Sequence, residues 1–160
     1  MTRVIRYLYS QFHKPRGPLG VLAGRIMSKR SSNNARSEWT VDLLALRPTD
    51  RVLEIGFGPG IGIAAALAKL DDGGELVGLD HSATMCRMAR RRIKRLPVDC
   101  AARAKLRVAD VTVDLPQGIG EFDAIFSCNV WLFWSDPGAV FGRLRAIIRP
   151  GGSIAVTHLP

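Results

Sequence analysis

The run Arg51-Val52-Leu53-Glu54-Ile55 passes directly into Gly56-Phe57-Gly58-Pro59-Gly60 and then into the alanine-rich stretch Ile61-Gly62-Ile63-Ala64-Ala65-Ala66-Leu67. A β-rich run, a glycine loop and a helix in that order severely restrict the fold. Such a loop sets backbone N–H groups at a helix start beside bare α-carbons, so that a ligand can approach the main chain closely. By itself the loop says nucleotide or anion, and a plain glycine turn from strand to helix is the competing reading. A dinucleotide fingerprint needs G-x-G-x-x-G, but the register from Gly56 ends on Ile61 and the register from Gly58 ends on Ile63. No Lys-Ser or Lys-Thr pair follows the turn, which also excludes a P-loop.

The pattern around the loop repeats. Strands are predicted at residues 51–55, 75–80, 104–109, 122–128 and 153–158, with helices between them at 61–70, 83–96 and 138–148. Ser82 is placed to cap the second of these helices, and Asp136-Pro137 to open the third. Asp71-Asp72-Gly73-Gly74 and Pro150-Gly151-Gly152 turn the chain into the strands that follow. Alternation of this kind predicts an α/β fold, a Rossmann-like parallel sheet of about five strands with flanking helices. At 160 residues the chain builds one core. Ahead of the sheet, helical stretches are predicted at 2–12, at 21–30 after a break at Pro15, Gly17, Pro18 and Gly20, and from about 35 to 46. The last of these is expected to turn Trp39, Leu43 and Leu46 inward.

The net charge of +9 is concentrated at one end. Residues 1–37 hold Arg3, Arg6, Lys14, Arg16, Arg25, Lys29, Arg30 and Arg36 with no acid, so the remainder is close to neutral. The chain therefore divides into a basic helical N-terminal extension, residues 1–37, and a single-core domain, residues 38–160. Cys86, Cys100 and Cys128 are scattered without a C-x-x-C pair, which suggests neither a disulfide framework nor a metal site. No apolar run reaches the length of a membrane span and no signal-peptide core is evident, so a reducing, cytoplasmic location is expected.

The motif Glu54-x-Gly56-x-Gly58-x-Gly60 resembles that of the Rossmann-like, class I S-adenosylmethionine-dependent methyltransferases, especially the small-molecule type of quinone biosynthesis. A carboxylate at the end of the first strand attracts an ammonium and repels a pyrophosphate. The resemblance implies that Glu54 and the loop hold the methionine end of S-adenosyl-L-methionine. Asp80 ends Leu76-Val77-Gly78-Leu79-Asp80, where a carboxylate can accept from both ribose hydroxyls, although a helix-opening aspartate is the plainer reading. His81-Ser82-Ala83-Thr84-Met85 continues in the family's manner, with His81 beside the adenine or in solvent. Asp110 in Arg107-Val108-Ala109-Asp110-Val111 matches the acid that accepts from the adenine amino group, the backbone N–H of Val111 meeting the ring. Phe122-Asp123-Ala124-Ile125-Phe126-Ser127 resembles the fourth strand and delivers Asn129 to the carboxyl edge, where Asn129 is the candidate for positioning the methionine amino group or the acceptor. Trp131 and Trp134, with Phe133, either line an apolar acceptor pocket or belong to the core. Ile148-Arg149-Pro150-Gly151-Gly152 resembles the turn into the fifth strand.

The resemblance covers residues 51–156 and implies direct displacement of the methyl group by a small-molecule or lipid-like acceptor. No catalytic base is assigned; His158 is within reach of the carboxyl edge, but a lone strand-end histidine is more often structural. Four readings stand for the basic extension: helices that cover the cofactor, peripheral contact with anionic membrane, nucleic acid, or an organelle transit peptide, against which the serine-poor composition before residue 28 speaks. The cluster Arg87, Arg90, Arg91, Arg92, Lys94 and Arg95 reads as a solvated helix face. The family usually adds two strands after the fifth, whereas this sequence ends at Pro160. Three readings follow: a truncated form, a partner such as a second copy in a homodimer that covers the exposed edge, or acceptor binding that depends on the N-terminal helices. The alternative to an active enzyme is a cofactor-binding or partner-binding domain without turnover, and a nicotinamide-dependent oxidoreductase is a third reading.

Overall fold

A computed structural model describes residues 17–29 and 31–158. Five strands, β1 (Arg51–Ile55), β2 (Glu75–Asp80), β3 (Ala104–Val108), β4 (Phe122–Cys128) and β5 (Ile148–Thr157), form one sheet in the order β3-β2-β1-β4-β5. Every pairing is parallel, and the central β1 is matched as Leu53 to Val77 on one side and Ile125 on the other. The Rossmann-like α/β sheet expected from the sequence is present.

A parallel sheet is covered by other elements on both faces, and each face here has its own core. On one side α2 (Ser31–Leu43), α3 (Ile61–Leu67) and α4 (Ala83–Ile93) cover Val52, Leu76, Leu106 and Phe126. On the other side α6 (Pro137–Arg145) and the segment through Val111 and Ile119 cover Leu53, Val77, Leu79 and Ile125. A short α5 (Val98–Ala102), not anticipated from the sequence, precedes β3. The caps fall where the sequence puts them: Ser82 Oγ accepts from the Met85 N–H at 3.3 Å and Asp136 from the Ala139 N–H at 2.9 Å.

Three expectations are corrected. Gly17, Pro18 and Gly20, read as a break, belong to α1 (Gly17–Lys29), because Pro18 stands in the first helical turn, where its missing N–H costs nothing, while Pro15 lies outside the described residues. Gly24 then lets α1 lie against Met85 and Met88 of α4. The helix predicted up to residue 46 stops at Leu43, with Ala45 at φ +46°, and its inward face is Ser37, Thr40 and Val41, while Trp39 and Leu43 are 56% and 55% exposed. Asp42 pairs with Lys69, which follows α3. Finally, Pro150-Gly151-Gly152 is a bulge inside β5 rather than a turn ahead of it: pairing with β4 jumps from Phe122↔Ile148 to Ala124↔Ser153. Proline and a glycine at φ +81° suit an unpaired excursion. The helix predicted at residues 2–12 lies outside the described residues. Among the described residues, no helix is long and apolar enough to cross a membrane.

Candidate functional site

Open parallel sheets leave a crevice beyond the carboxyl ends of their strands, at the point where strand order reverses. Here that point is between β1 and β4, and a cavity of about 420 Å³ lies there. Its volume is in the range of small-molecule sites.

The floor is Glu54. The side chain is 2% exposed, and its Oε2 has no hydrogen-bond partner among the described residues. Burial pushes the carboxyl well above its ordinary range, and the nearby Asp80 carboxylate adds to the effect. Gly62 makes room for it, since a Cβ at that position would collide with Glu54 Oε1. A buried, unpartnered carboxylate is costly unless a cation meets it.

The glycine loop passes over this acid. Gly56, at φ +69°, has Val130 side-chain atoms 2.5 Å from where a Cβ would stand, so the loop after β4 closes on it directly. Gly58 lines the cavity and its N–H donates to Asp80 Oδ2 at 2.8 Å. Gly60 instead packs against Ala89 of α4 and is not among the lining residues.

Asp80 Oδ1 accepts from the Ser82 N–H at 2.7 Å, so this carboxylate braces both the glycine loop and the start of α4. Burial raises its pKa, while the Ser82 and Gly58 N–H groups and His81 draw it back down. Each oxygen accepts one backbone bond and retains capacity for a ligand hydroxyl. His81 lines the same end of the cavity. Asp110 and Val111 line the far wall, with Asp110 Oδ1 fixed by the Thr112 N–H at 3.1 Å and hydroxyl at 2.6 Å.

Asn129, at φ +59°, has its N–H held by the Thr157 carbonyl at 2.7 Å. Its side chain points to α2: Arg36 Nη1 donates to Asn129 Oδ1 at 3.3 Å, and Asn129 Nδ2 to Asn33 Oδ1 at 3.5 Å. Trp134 is 6% exposed and lines the cavity, whereas Trp131 stands outside the lining and meets the His158 ring edge-on at 5.3 Å.

The lining residues that sequence reasoning missed are chiefly Asn33 and Ser37 on α2 and Cys128 at the end of β4. Burial raises the Cys128 thiol pKa, and the Glu54 carboxylate raises it further. One signal was available: Asn33, Arg36, Ser37 and Thr40 share a helix face at helical spacing.

These residues fit S-adenosylmethionine. The buried Glu54 oxygen asks for a cation, the glycine loop allows close approach, and Asp80 and Asp110 offer acceptors at the far ends. Residues 52–152 match the family model described as a methyltransferase domain. The chain is 30% identical to the uncharacterized methyltransferase YdaC of Bacillus subtilis over 88% of its length and 72% of that protein. It is 27% identical to the demethylmenaquinone methyltransferase of Thermus thermophilus over 84% of its length and 60% of that enzyme. Among solved structures, a geranyl diphosphate methyltransferase in complex with GPP and sinefungin superimposes with a TM-score of 0.67 at 24% identity, covering 78% of this chain and 45% of that one.

Proposed function

We propose, from the premise that this chain belongs to the S-adenosylmethionine-dependent methyltransferase family, that it transfers a methyl group to a small-molecule or lipid-like acceptor. The domain match over residues 52–152 carries the membership. The observation that carries the activity is the buried Glu54 carboxylate, with Oε2 unpartnered, at the floor of a cavity lined by the glycine loop.

Glu54 would hold the α-ammonium of the donor, Asp80 the ribose hydroxyls, and Asp110 with the Val111 N–H the adenine; Asn129 stands beside the methionine end. When bound, S-adenosylmethionine supplies an electrophilic methyl on a sulfonium: the acceptor's nucleophilic atom forms the new bond to carbon, the S–CH₃ bond breaks, and S-adenosylhomocysteine departs. The protein's task is then to align and to exclude water. Phe133 and Trp134 with Val130 supply an apolar wall for that purpose. A general base enters only where the acceptor keeps its proton, and the acceptor's proton otherwise leaves to solvent.

The lipid-like class is favoured by that apolar wall and by the name of the demethylmenaquinone relative. Peripheral contact with anionic membrane is consistent with the basic extension and with Leu19, Leu22 and Ile26, which are exposed at i, i+3 and i+7 along α1. A homodimer through β5 would cover Ile154, which is exposed on that strand.

Calorimetric titration with S-adenosylhomocysteine tests the donor site, and transfer of labelled methyl to quinol, phenol and amine panels tests turnover. Binding of NAD(P) in place of S-adenosylhomocysteine would overturn the reading. Tight donor binding with no transfer to any acceptor would leave a binding domain.

A further inference from the structure

Arg87, Arg90, Arg91, Lys94 and Arg95 are exposed along α4 and the turn that ends it, as on a solvated helix face. Solvation does not explain their isolation from acid. Elsewhere Arg47, Lys69, Arg103, Lys105 and Arg149 each meet a carboxylate, whereas among the described residues no base of the α4 cluster forms an ion pair. Arg87 and Arg90 donate to the Thr84 hydroxyl and the Leu106 carbonyl at 3.0 and 3.1 Å, neutral groups that leave both charges uncompensated. Arg87 and Arg91 stand four residues apart, as do Arg90 and Lys94, a spacing at which like charges weaken a helix. The helix dipole favours bases in the last turn, but Arg87 precedes that turn. An anionic surface laid against this face relieves the repulsion.

Helix α1 adds an apolar half. It packs on α4 with Gly24 against Met85 and Met88, and Arg92 Nη2 donates to Ser28 Oγ at 3.2 Å. Arg91 and Arg95 follow Met88 and Arg92 by three residues and so border the seam on α4, while Arg25, three residues before Ser28, borders it on α1. Beyond Arg25 come Leu22, Ile26 and Leu19, exposed by 52%, 40% and 40%, whereas Gly20, Ala23 and Gly24 on the other side of α1 are buried. A basic strip therefore runs beside an aliphatic ridge.

The combination selects the partner. Guanidinium and ammonium groups attract lipid phosphates, and aliphatic side chains beside them gain by entering the boundary between headgroups and acyl chains. Nucleic acid offers phosphates too, but it is held by polar side chains and by stacking on aromatic rings. Neither α1 nor α4 contains an aromatic residue, and on nucleic acid the ridge of Leu19, Leu22 and Ile26 would gain nothing.

We propose that α1 and α4 together form a docking surface for anionic membrane, in which Arg25, Arg87, Arg91, Lys94 and Arg95 meet lipid phosphates while Leu19, Leu22 and Ile26 enter the acyl boundary. The surface adjoins the cavity. Met85 lines the cavity and also meets α1 at Gly24, and Arg92 Nε donates to the Pro59 carbonyl of the glycine loop at 3.0 Å. Docking thus holds the site beside the phase in which a lipid-like acceptor resides. The inference rests on the membrane contact and lipid-like acceptor proposed above, and it is independent of the donor.

The test is co-sedimentation of the full chain with vesicles of phosphatidylcholine, alone or with about one third phosphatidylglycerol. The wild type is expected to bind the anionic vesicles and not the neutral ones, and to release as salt is added. Removing three cations in Arg91→Gln/Lys94→Gln/Arg95→Gln should weaken partitioning about a hundredfold, roughly fivefold for each base. Leu22→Gln/Ile26→Gln keeps every charge and should weaken it about tenfold or more. Both variants should bind S-adenosylhomocysteine as the wild type does, which shows that they fold. Wild type that ignores anionic vesicles, or binds neutral ones equally well, overturns the proposal. So does binding retained by both variants, which assigns the contact to the basic residues before Gly17. Loss in the charge variant alone, with single-stranded RNA displacing the vesicles, overturns it in favour of nucleic acid. A chain that docks on vesicles but binds no S-adenosylhomocysteine refutes the donor reading and leaves the docking surface standing; the converse result refutes the docking surface alone.

Discussion

At Glu54 and Asp80 two buried carboxylates at neighbouring strand ends have opposite consequences for stability. Asp80 accepts from the Gly58 and Ser82 N–H groups at 2.8 and 2.7 Å. Asp80→Ala leaves both donors without a partner, each costing about 1–3 kcal/mol if it stays buried. It is therefore expected to lower the melting temperature of the ligand-free chain as well as its affinity for S-adenosylhomocysteine; weakened binding with unchanged melting would show that Asp80 serves the ligand only. Glu54 has no such return. Burial, and after it Asp80, raises its pKa well above the ordinary 4.5. Between the unfolded and the raised folded value the folded state holds the extra proton, so stability falls as pH rises through that window. Glu54→Gln is accordingly expected to melt higher than wild type at neutral pH, with the difference closing below the ordinary carboxylate range. The same variant should bind S-adenosylhomocysteine about tenfold or more weakly. In wild type, an ammonium ligand favours the ionised acid, so affinity should climb with pH across the same window. A Glu54→Gln chain no more stable than wild type at any pH contradicts this account.

Among the elements, what could be read in advance depended on whether the decisive contacts were local. The strand, loop and helix through Glu54 and Gly60 announce themselves because their geometry is fixed by adjacent residues. So do the Ser82 and Asp136 caps. Helix α2 does not. Apolar spacing turns Trp39 and Leu43 inward, yet its buried side holds Ser37 and Thr40. Their partners, Cys128 and Thr157, lie on strands far along the chain, and polar pairs across such separations leave no periodic trace. The same gap hid Asn33 and Ser37 from the site, although the strand-end acids were found. The bulge at Pro150-Gly151-Gly152 was legible as an interruption, but its place inside β5 depends on register with β4. Thr40→Val tests the clasp directly. The change is nearly isosteric but deletes the bonds to Thr157 and to the Arg36 carbonyl at 2.6 and 2.7 Å, so a loss of about 1–3 kcal/mol is expected in chemical denaturation. Affinity for S-adenosylhomocysteine should drop with it, since Asn33 and Ser37 line the cavity from the same helix. Stability within about 0.5 kcal/mol of wild type would mean that α2 is held by its apolar contacts alone.

For the whole molecule, the cavity is a junction rather than a depression in one element. Its walls come from α2, the loop after β1, the end of β2, the segment after β3 and the loop after β4. The family match begins at residue 52, yet Asn33 and Ser37 form part of the lining. A ligand seated there contacts elements spread from Asn33 to Ser135, and its binding energy adds to the stability of all of them together. At a ligand concentration one hundred times Kd that addition is about 2.7 kcal/mol. A domain of this size gains about 2–4 °C per kcal/mol, so saturation with S-adenosylhomocysteine is expected to raise Tm by about 5–10 °C. Hydrogen exchange locates the gain. If α2 belongs to the site, amides in residues 31–43 should slow on ligand addition together with those of the loop at residues 56–60. Protection confined to residues 52–152, with α2 exchanging as fast as in the ligand-free chain, would reduce α2 to a passive attachment beside the sheet.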